Sequence, residues 1–210
     1  MARAHRALVV ASVDEPAAEL PPADLIVAAD GGADVVLAAG RIVDILVGDM
    51  DSITSAALAT VTDQGGRVVE HPPDKDQTDL ELALEIAVEA AAHVHVIAAA
   101  GGRLDHATAN LAVLASPRWA RATVEATIGP NRVWVVRDRV TIAGSAGEIV
   151  SLLPMGGPVA GVRTAGLRYE LEGESLDPLA ARGVSNVMTG TTAEISIESG
   201  SLLVVKPPGP

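Results

Sequence analysis

From residue 7 to about residue 130, short apolar runs alternate with longer stretches of helical periodicity. Runs at 7–11, 25–29, 44–48, 67–70, 94–99 and 122–128 have strand length, and their alternation with helical segments is the pattern of β-α repeats building a parallel sheet. The clearest helix follows Thr78. Leu80, Ala83, Leu84, Ala87, Val88 and Ala91 recur at i, i+3, i+4 spacing, while Glu81, Glu85 and Glu89 form another side expected to face water. A second helix is predicted from about Asp105 to Ala115, after the glycine pair at 101–102.

Beyond Pro130 the texture changes. RVWVVRDRVTIAG, EIVSLLP, GVRTAGLRYEL and AEISIESGSLLVV are short β-rich runs broken by Gly and Pro, with strict alternation from Glu194 to Glu198. That pattern predicts a small antiparallel sandwich or barrel. The expected fold is therefore α/β: a mostly parallel sheet flanked by helices over residues 1–130, then a smaller antiparallel β-sandwich over 131–210.

Charge narrows the function. The net charge is -12 and the 15 Lys and Arg residues are scattered, which disfavours nucleic acid and anionic membranes as partners. With no cysteine there is no disulfide framework, thiolate nucleophile or thiolate-bound zinc, and the chain suits a reducing cytoplasm. Arg3 and Arg6 precede the apolar run at 7–11, but that run is short and passes into Asp14 and Glu15, so it reads as a first strand rather than a signal peptide. No segment approaches the ~20 apolar residues that span a bilayer. Phe is absent, with only 2 Trp and 1 Tyr, leaving few aromatic platforms for stacking a ligand.

Carboxylates stand at the downstream ends of the apolar runs: Asp30, Asp49 and Asp51, then Asp79 and Asp105 at helix starts. If the runs are parallel strands, these ends share one sheet edge, where open α/β folds bind ligands. In GlyAspMetAspSer at 48–52, the i, i+2 spacing of Asp49 and Asp51 would put both side chains on one face of extended backbone, suited to a hard cation such as Mg²⁺. The competing reading is an acidic loop in which Asp51 caps the segment from Ser52.

ThrAspLeuGlu at 78–81 is a capping box through Thr78 and Glu81, and Asp79 sits where a phosphate docks on a helix start. GlyGlyArgLeuAspHis at 101–106 offers backbone amides and the Arg103 fork to an anion, or else a plain turn with Asp105 as cap. Like charges about 4 Å apart cost on the order of 4 kcal/mol at a surface-like dielectric, so an acidic cluster without metal would repel a polyphosphate. Metal and phosphate binding should rise and fall together. His93 and His95 read as packing or edge residues, and neither a P-loop nor a GxGxxG fingerprint occurs.

AspGlyGly at 30–32, GlyAspMetAspSer at 48–52, LysAspGlnThrAspLeuGlu at 75–81, GlyGlyArgLeuAspHis at 101–106 and ValSerAsnValMetThrGly at 184–190, in that order, resemble the thiamine pyrophosphokinase family. The resemblance implies an ATP-binding catalytic domain, a thiamine-binding sandwich, and a cytoplasmic homodimer with its sites between subunits. The implied reaction moves the terminal diphosphate of ATP to the thiamine hydroxyl and releases AMP. Carried over residue by residue, Asp49, Asp51 and Asp79 would hold Mg²⁺, with Asp30 and Asp105 completing the acidic pocket. Gly31, Gly32, Lys75, Gln77, Thr78, Gly102 and Arg103 would meet the nucleotide alongside Asp30, and Ser185 and Asn186 would face thiamine. Asp49, Asp51, Asp79, Arg103 and Asp105 form the implied catalytic set, with Asp79 and Asp105 both open as the base.

Two departures stand out. Leu82 occupies a place where some members carry Lys, and SerLeuLeuValVal at 201–205 stands where animal and fungal members carry a thiamine-stacking Trp. Three alternatives follow from the residues: diphosphate transfer to another heteroaromatic alcohol such as a hydroxymethylpterin, a Mg²⁺-dependent phosphatase with Asp49 as nucleophile, and a noncatalytic nucleotide sensor. In the phosphatase pattern, Ile53 departs from the expected Thr or Val.

Overall fold

A computed structural model of the chain describes residues 4–13, 19–100 and 103–209. Two compact units emerge, Met1–Asn110 with Arg121–Gly129, and Leu111–Ala120 with Pro130–Pro210.

In the first unit, β1 (Ala4–Val10), β2 (Leu25–Ala29), β3 (Ile45–Gly48), β4 (Arg67–Glu70), β5 (Ala91–Ala98) and β6 (Thr123–Ile128) lie in the order β6-β5-β1-β2-β3-β4. Every neighbouring pair is parallel. The unit's helices are α1 (Gly32–Ala38), α2 (Ser55–Asp63) and α3 (Asp79–Ala90), and α4 (Leu104–Leu114) begins in this unit, its last four residues belonging to the second. Parallel strands need crossover connections and tolerate burial on both faces, which explains the near-continuous apolar runs. Leu8, Val10, Ala28, Val36, Leu46 and Val61 are fully buried in one cluster, so aliphatic side chains fill the core that aromatics fill elsewhere.

The α3 helix shows how local chemistry sets this frame. Thr78 Oγ1 accepts from the Glu81 amide at 3.2 Å, capping the helix where the sequence predicts it. The buried stripe is wider than its i, i+3, i+4 pattern implies, because Leu82 is only 7% exposed. Of the acidic side, Glu89 is exposed but Glu81 and Glu85 are half-buried, with the Gln77 amide 3.4 and 3.3 Å from their carboxylates. Ala91, read as part of the stripe, is instead extended (φ −132°) and opens β5, since the β-branched run that follows takes over the backbone.

In the second unit, β7 (Asn131–Val136), β8 (Arg139–Ala143), β9 (Ile149–Pro154), β10 (Val159–Ala165), β11 (Glu172–Leu176), β12 (Asn186–Val187), β13 (Thr192–Ser196) and β14 (Leu202–Lys206) form antiparallel arrays. Their orders are β12-β9-β14-β7 and β11-β10-β13-β8. Ile142, Leu152, Val162, Leu176, Met188, Ile195 and Leu202 share one core. The alternation at 194–198 emerges as expected, with Ile195 and Ile197 buried between exposed Glu194 and Glu198. The architecture is thus the α/β-plus-sandwich fold that the periodicity predicts. Among the described residues, no helix is long and apolar enough to cross a membrane.

Candidate functional site

Asp30 follows the last residue of β2, Asp49 follows the last residue of β3, and Asp79 opens α3. Each brings a carboxylate oxygen within 4.8 Å of the others. Two backbone features allow this convergence. Asp30 adopts φ +45°, a left-handed conformation that Asp tolerates, and its amide donates to Val47 O at 2.9 Å. Gly48 has φ +152°, and a Cβ there would lie 3.0 Å from Asp30 Cβ and 3.2 Å from Asp79 Cγ. Glycine therefore clears the space in which the two acids meet.

Asp30 is 5% exposed. Its Oδ2 accepts from the Ser52 amide at 3.0 Å, while its Oδ1 is buried without a hydrogen-bond partner. Burial pushes its pKa up, against the Ser52 hydrogen bonds, and the neighbouring Asp51 and Asp79 push the same way. Lys75 stands in the gap, its Nζ 3.2 Å from Asp49 Oδ2 and 3.1 Å from Asp79 Oδ1. The second contact is an ion pair that lacks the alignment of a hydrogen bond, leaving Asp79 Oδ1 without one. The Lys75 hydrogen bond holds Asp49 below its ordinary value. Burial works against the Lys75 charge, but the two carboxylates outweigh it and raise its pKa.

Asp51 takes a different place from the one its spacing predicts. Met50 adopts φ +64°, so 49–51 is a turn rather than extended backbone, and the shared-face geometry does not form. The Asp51 amide donates to Asp49 Oδ1 at 3.3 Å, and its own Oδ1 accepts from Ser52 Oγ at 2.7 Å. Asp51 is exposed yet close enough to Asp30 to raise its pKa, so it lies at the mouth of the cluster while Asp30 sits inside it. It caps no helix: Thr54 is the N-cap of α2, accepting from the Ala57 amide at 3.2 Å.

The remaining candidates are dispersed. Gly31 and Gly32 open α1, and a Cβ on Gly32 would lie 1.9 Å from Val10 O, which leaves no room for any other residue. Gln77 turns toward the α3 glutamates and Thr78 serves as the cap. Arg103 and Asp105 form an exposed two-contact pair at the start of α4 and do not join the three-carboxylate group. Arg103 brings Asp105 down to about 2. Gly101 and Gly102 lie outside the described residues. Leu82 carries no charge into the site, and Lys75 is the cation found between Asp49 and Asp79.

His93 stacks on His5 with ring centroids 5.2 Å apart. His95 sits between Glu125 at 3.2 Å and Thr127 at 2.9 Å, away from the carboxylate group. His95 is thus satisfied within the sheet, while His93 sits exposed on β5.

In the second unit, Ser185 is exposed at φ +59°, its amide donating to Ser151 Oγ at 3.1 Å. Asn186 is 6% exposed. Its Oδ1 accepts from the amides of Tyr169 and Val187 at 3.0 and 2.9 Å, and its Nδ2 donates to Tyr169 O at 2.7 Å. The Asn186 amide therefore clamps the chain at Tyr169, and the exposed hydroxyl of the pair belongs to Ser185. Leu202, Leu203 and Val204 of the final strand are fully buried.

Hard oxygen donors on three elements, one of them buried and unpartnered, with a cation already drawn into the gap, could hold a divalent ion such as Mg²⁺. The Ser52 amide and the Lys75 bridge were not visible as site features in the sequence; the signal for the first was only its adjacency to GlyAspMetAsp.

Residues 18–126 match the family model described as "Thiamin pyrophosphokinase, catalytic domain", and residues 139–202 match "Thiamin pyrophosphokinase, vitamin B1 binding domain". The chain is 27% identical over 168 residues to thiamine pyrophosphokinase 1 of Oryza sativa subsp. japonica, a match covering 74% of this chain and 63% of that relative's length. It is 34% identical over 91 residues to thiamine pyrophosphokinase of Bacillus subtilis, covering 43% of this chain and 42% of the relative. The crystal structure of the Bacillus subtilis protein shares the fold at a TM-score of 0.82 with 22% identity, covering 98% of this chain and 100% of that one. That from Geobacillus thermodenitrificans superposes at 0.77 with 25% identity, covering 97% and 98%. With one family model on each part of the chain and the acidic cluster set at the strand ends, this chain belongs to the thiamine pyrophosphokinase family.

Proposed function

We propose that the chain transfers the diphosphate of ATP to the hydroxyl of thiamine, giving thiamine diphosphate and AMP. The observation that carries the reading is the convergence within 4.8 Å of Asp30 and Asp49, at the downstream ends of parallel strands, with Asp79 at the start of α3. In this reading the first unit is the ATP-binding catalytic domain and the second binds thiamine. The active form is a cytoplasmic homodimer with its sites between subunits.

Asp49 and Asp79 would hold Mg²⁺ with Asp30, and Asp51 would act at the mouth through its exposed oxygens. When bound, the ion neutralises charge on the phosphate oxygens. The chain's own residues do the rest. Gly31, Gly32 and Gly102 would meet the nucleotide alongside Asp30. Lys75, released from Asp49 and Asp79, becomes a phosphate contact, and Arg103 gains the same role by leaving Asp105 for a phosphate fork. Thr78 and Gln77 hold the start of α3, fixing Asp79 in direction.

The thiamine hydroxyl must approach the β-phosphorus in line, so rate depends on positioning. Ser185 offers the exposed hydroxyl toward thiamine, while Asn186 fixes the strand that carries it. A proton from the attacking hydroxyl passes late to Asp79 or Asp105.

The test is AMP formation from ATP and Mg²⁺ with and without thiamine. AMP should appear in step with thiamine diphosphate and only when thiamine is present. Turnover of a hydroxymethylpterin in place of thiamine, or ATP binding without AMP, would overturn the assignment.

A further inference from the structure

We infer that the second unit carries a separate binding site for a small organic monocarboxylate, built around Arg137. A cavity of about 580 Å³ is lined by Ala112, Ala115, Pro117, Arg137, Met155 and Pro158, among others, all within this unit. That volume falls in the range of small-molecule sites, roughly 300–1,000 Å³.

Among the described residues, Arg137 is the only charged residue of its lining. Its Nη2 donates to Ser116 O at 2.7 Å and to Leu114 O at 3.4 Å, at the C-terminal end of α4. A cation there is favoured by the helix dipole, which accounts for that one nitrogen. The rest of the guanidinium is not accounted for. Its Nε is buried without a hydrogen-bond partner, and no carboxylate pairs with Arg137 among the described residues. Burial lowers its pKa, as expected of a cation that lacks a counter-ion. In a chain with 27 acidic against 15 basic residues, an arginine left without an acid beside an open cavity is a receptor for an incoming anion.

The lining selects the class of anion. One guanidinium and no second cation match a single negative charge, and Ala112, Ala115, Pro117, Met155 and Pro158 offer an apolar wall for a hydrocarbon body. A di- or trianion would bring uncompensated charge against that wall. The mouth is open: at Gly156 and Gly157, both with φ in the region that favours glycine, an added Cβ would meet nothing within 4 Å.

The experiment is titration of the full chain with benzoate, followed by NMR of the arginine Nε–Hε signals, with inorganic phosphate as the comparison anion. Benzoate should give a saturable shift of the Arg137 signal and phosphate should not. Arg137→Gln should weaken benzoate binding at least tenfold, and Arg137→Lys less. Because Arg137 also caps α4, Ala112→Trp supplies an independent check: residue 112 is exposed, so the ring can fill the cavity from the solvent side and block binding while leaving the Arg137 contacts in place. No saturable shift in the native chain, equal binding of phosphate, or benzoate binding undiminished in both Arg137→Gln and Ala112→Trp would overturn the proposal. None of these readouts depends on thiamine or ATP turnover.

Discussion

Asp30→Asn should make the protein more stable and inactive. Asp30 is buried beside Asp79 and Asp49, with an oxygen of each within 4.8 Å. At that separation, one pair of full charges repels by about 3 kcal/mol at an effective dielectric near 20. Lys75 answers Asp49 and Asp79 directly, so Asp30 is the carboxylate left without a cation of its own. Asparagine keeps an oxygen for the Ser52 amide, tolerates the φ of +45°, and can donate its NH₂ toward a neighbouring carboxylate.

With Lys75 offsetting part of the repulsion, the net gain should be about 1–2 kcal/mol at pH 7, or roughly 3–6 °C in melting temperature for a chain of this size. The raised pKa fixes the sign: Asp30 contributes stability below its ordinary range, and that contribution is lost as pH rises through its folded value. The advantage of the variant should therefore shrink on acidification toward pH 4. The assay is thermal melting at several pH values, with and without Mg²⁺. Native protein should be stabilised by Mg²⁺ and the variant much less, since a ligand at a hundred times its Kd adds about 2.7 kcal/mol only to a state that binds it. A variant less stable than native at neutral pH, or one equally stabilised by Mg²⁺, would refute the reasoning.

Asn186→Ala should lower stability by about 2–3 kcal/mol, because three hydrogen bonds made by one buried side chain are lost together; an unchanged melt would show that the clamp is dispensable. Gly32→Ala should prevent folding or shift the melt by more than any surface change, given a Cβ 1.9 Å from Val10 O, and soluble expression with native circular dichroism would contradict this. Asp49→Asn should reduce AMP formation by at least ~100-fold while the far-ultraviolet spectrum stays native, and near-normal turnover would remove Asp49 from the site. The Asp105 carboxyl, brought to about 2 by Arg103, should titrate by NMR well below an ordinary Asp. Its stabilising contribution is present above the ordinary range and fades as pH falls toward 2; a midpoint near 4 would show the pair to be open in solution.

The sequence carried the fold because its signals were local and strong. The six parallel strands were legible as short apolar runs alternating with helical stretches, and the Thr78 cap as a spacing of three to Glu81. Ala91 was misplaced because a helical stripe and a strand overlap in apolar composition at that residue, and only the extended backbone separates them. The site was partly legible. Asp30 and Asp49 could be placed on one sheet edge from strand direction and Asp79 from the helix it opens, but the left-handed turn at Met50, which leaves Asp51 at the mouth, has no marker such as glycine in the sequence. Asn186 illustrates the other limit. Its residue type fits a ligand contact equally well, and only three-dimensional proximity to Tyr169, 17 positions away, reveals its amide as a structural clamp.

Lys75 has a consequence for how the protein comes into being. By sitting between Asp49 and Asp79 it lends the crevice an internal counter-charge, so a newly made chain can close its acidic edge before meeting any divalent ion. Purification in the presence of a chelator should accordingly deliver folded protein, ready to be loaded afterwards.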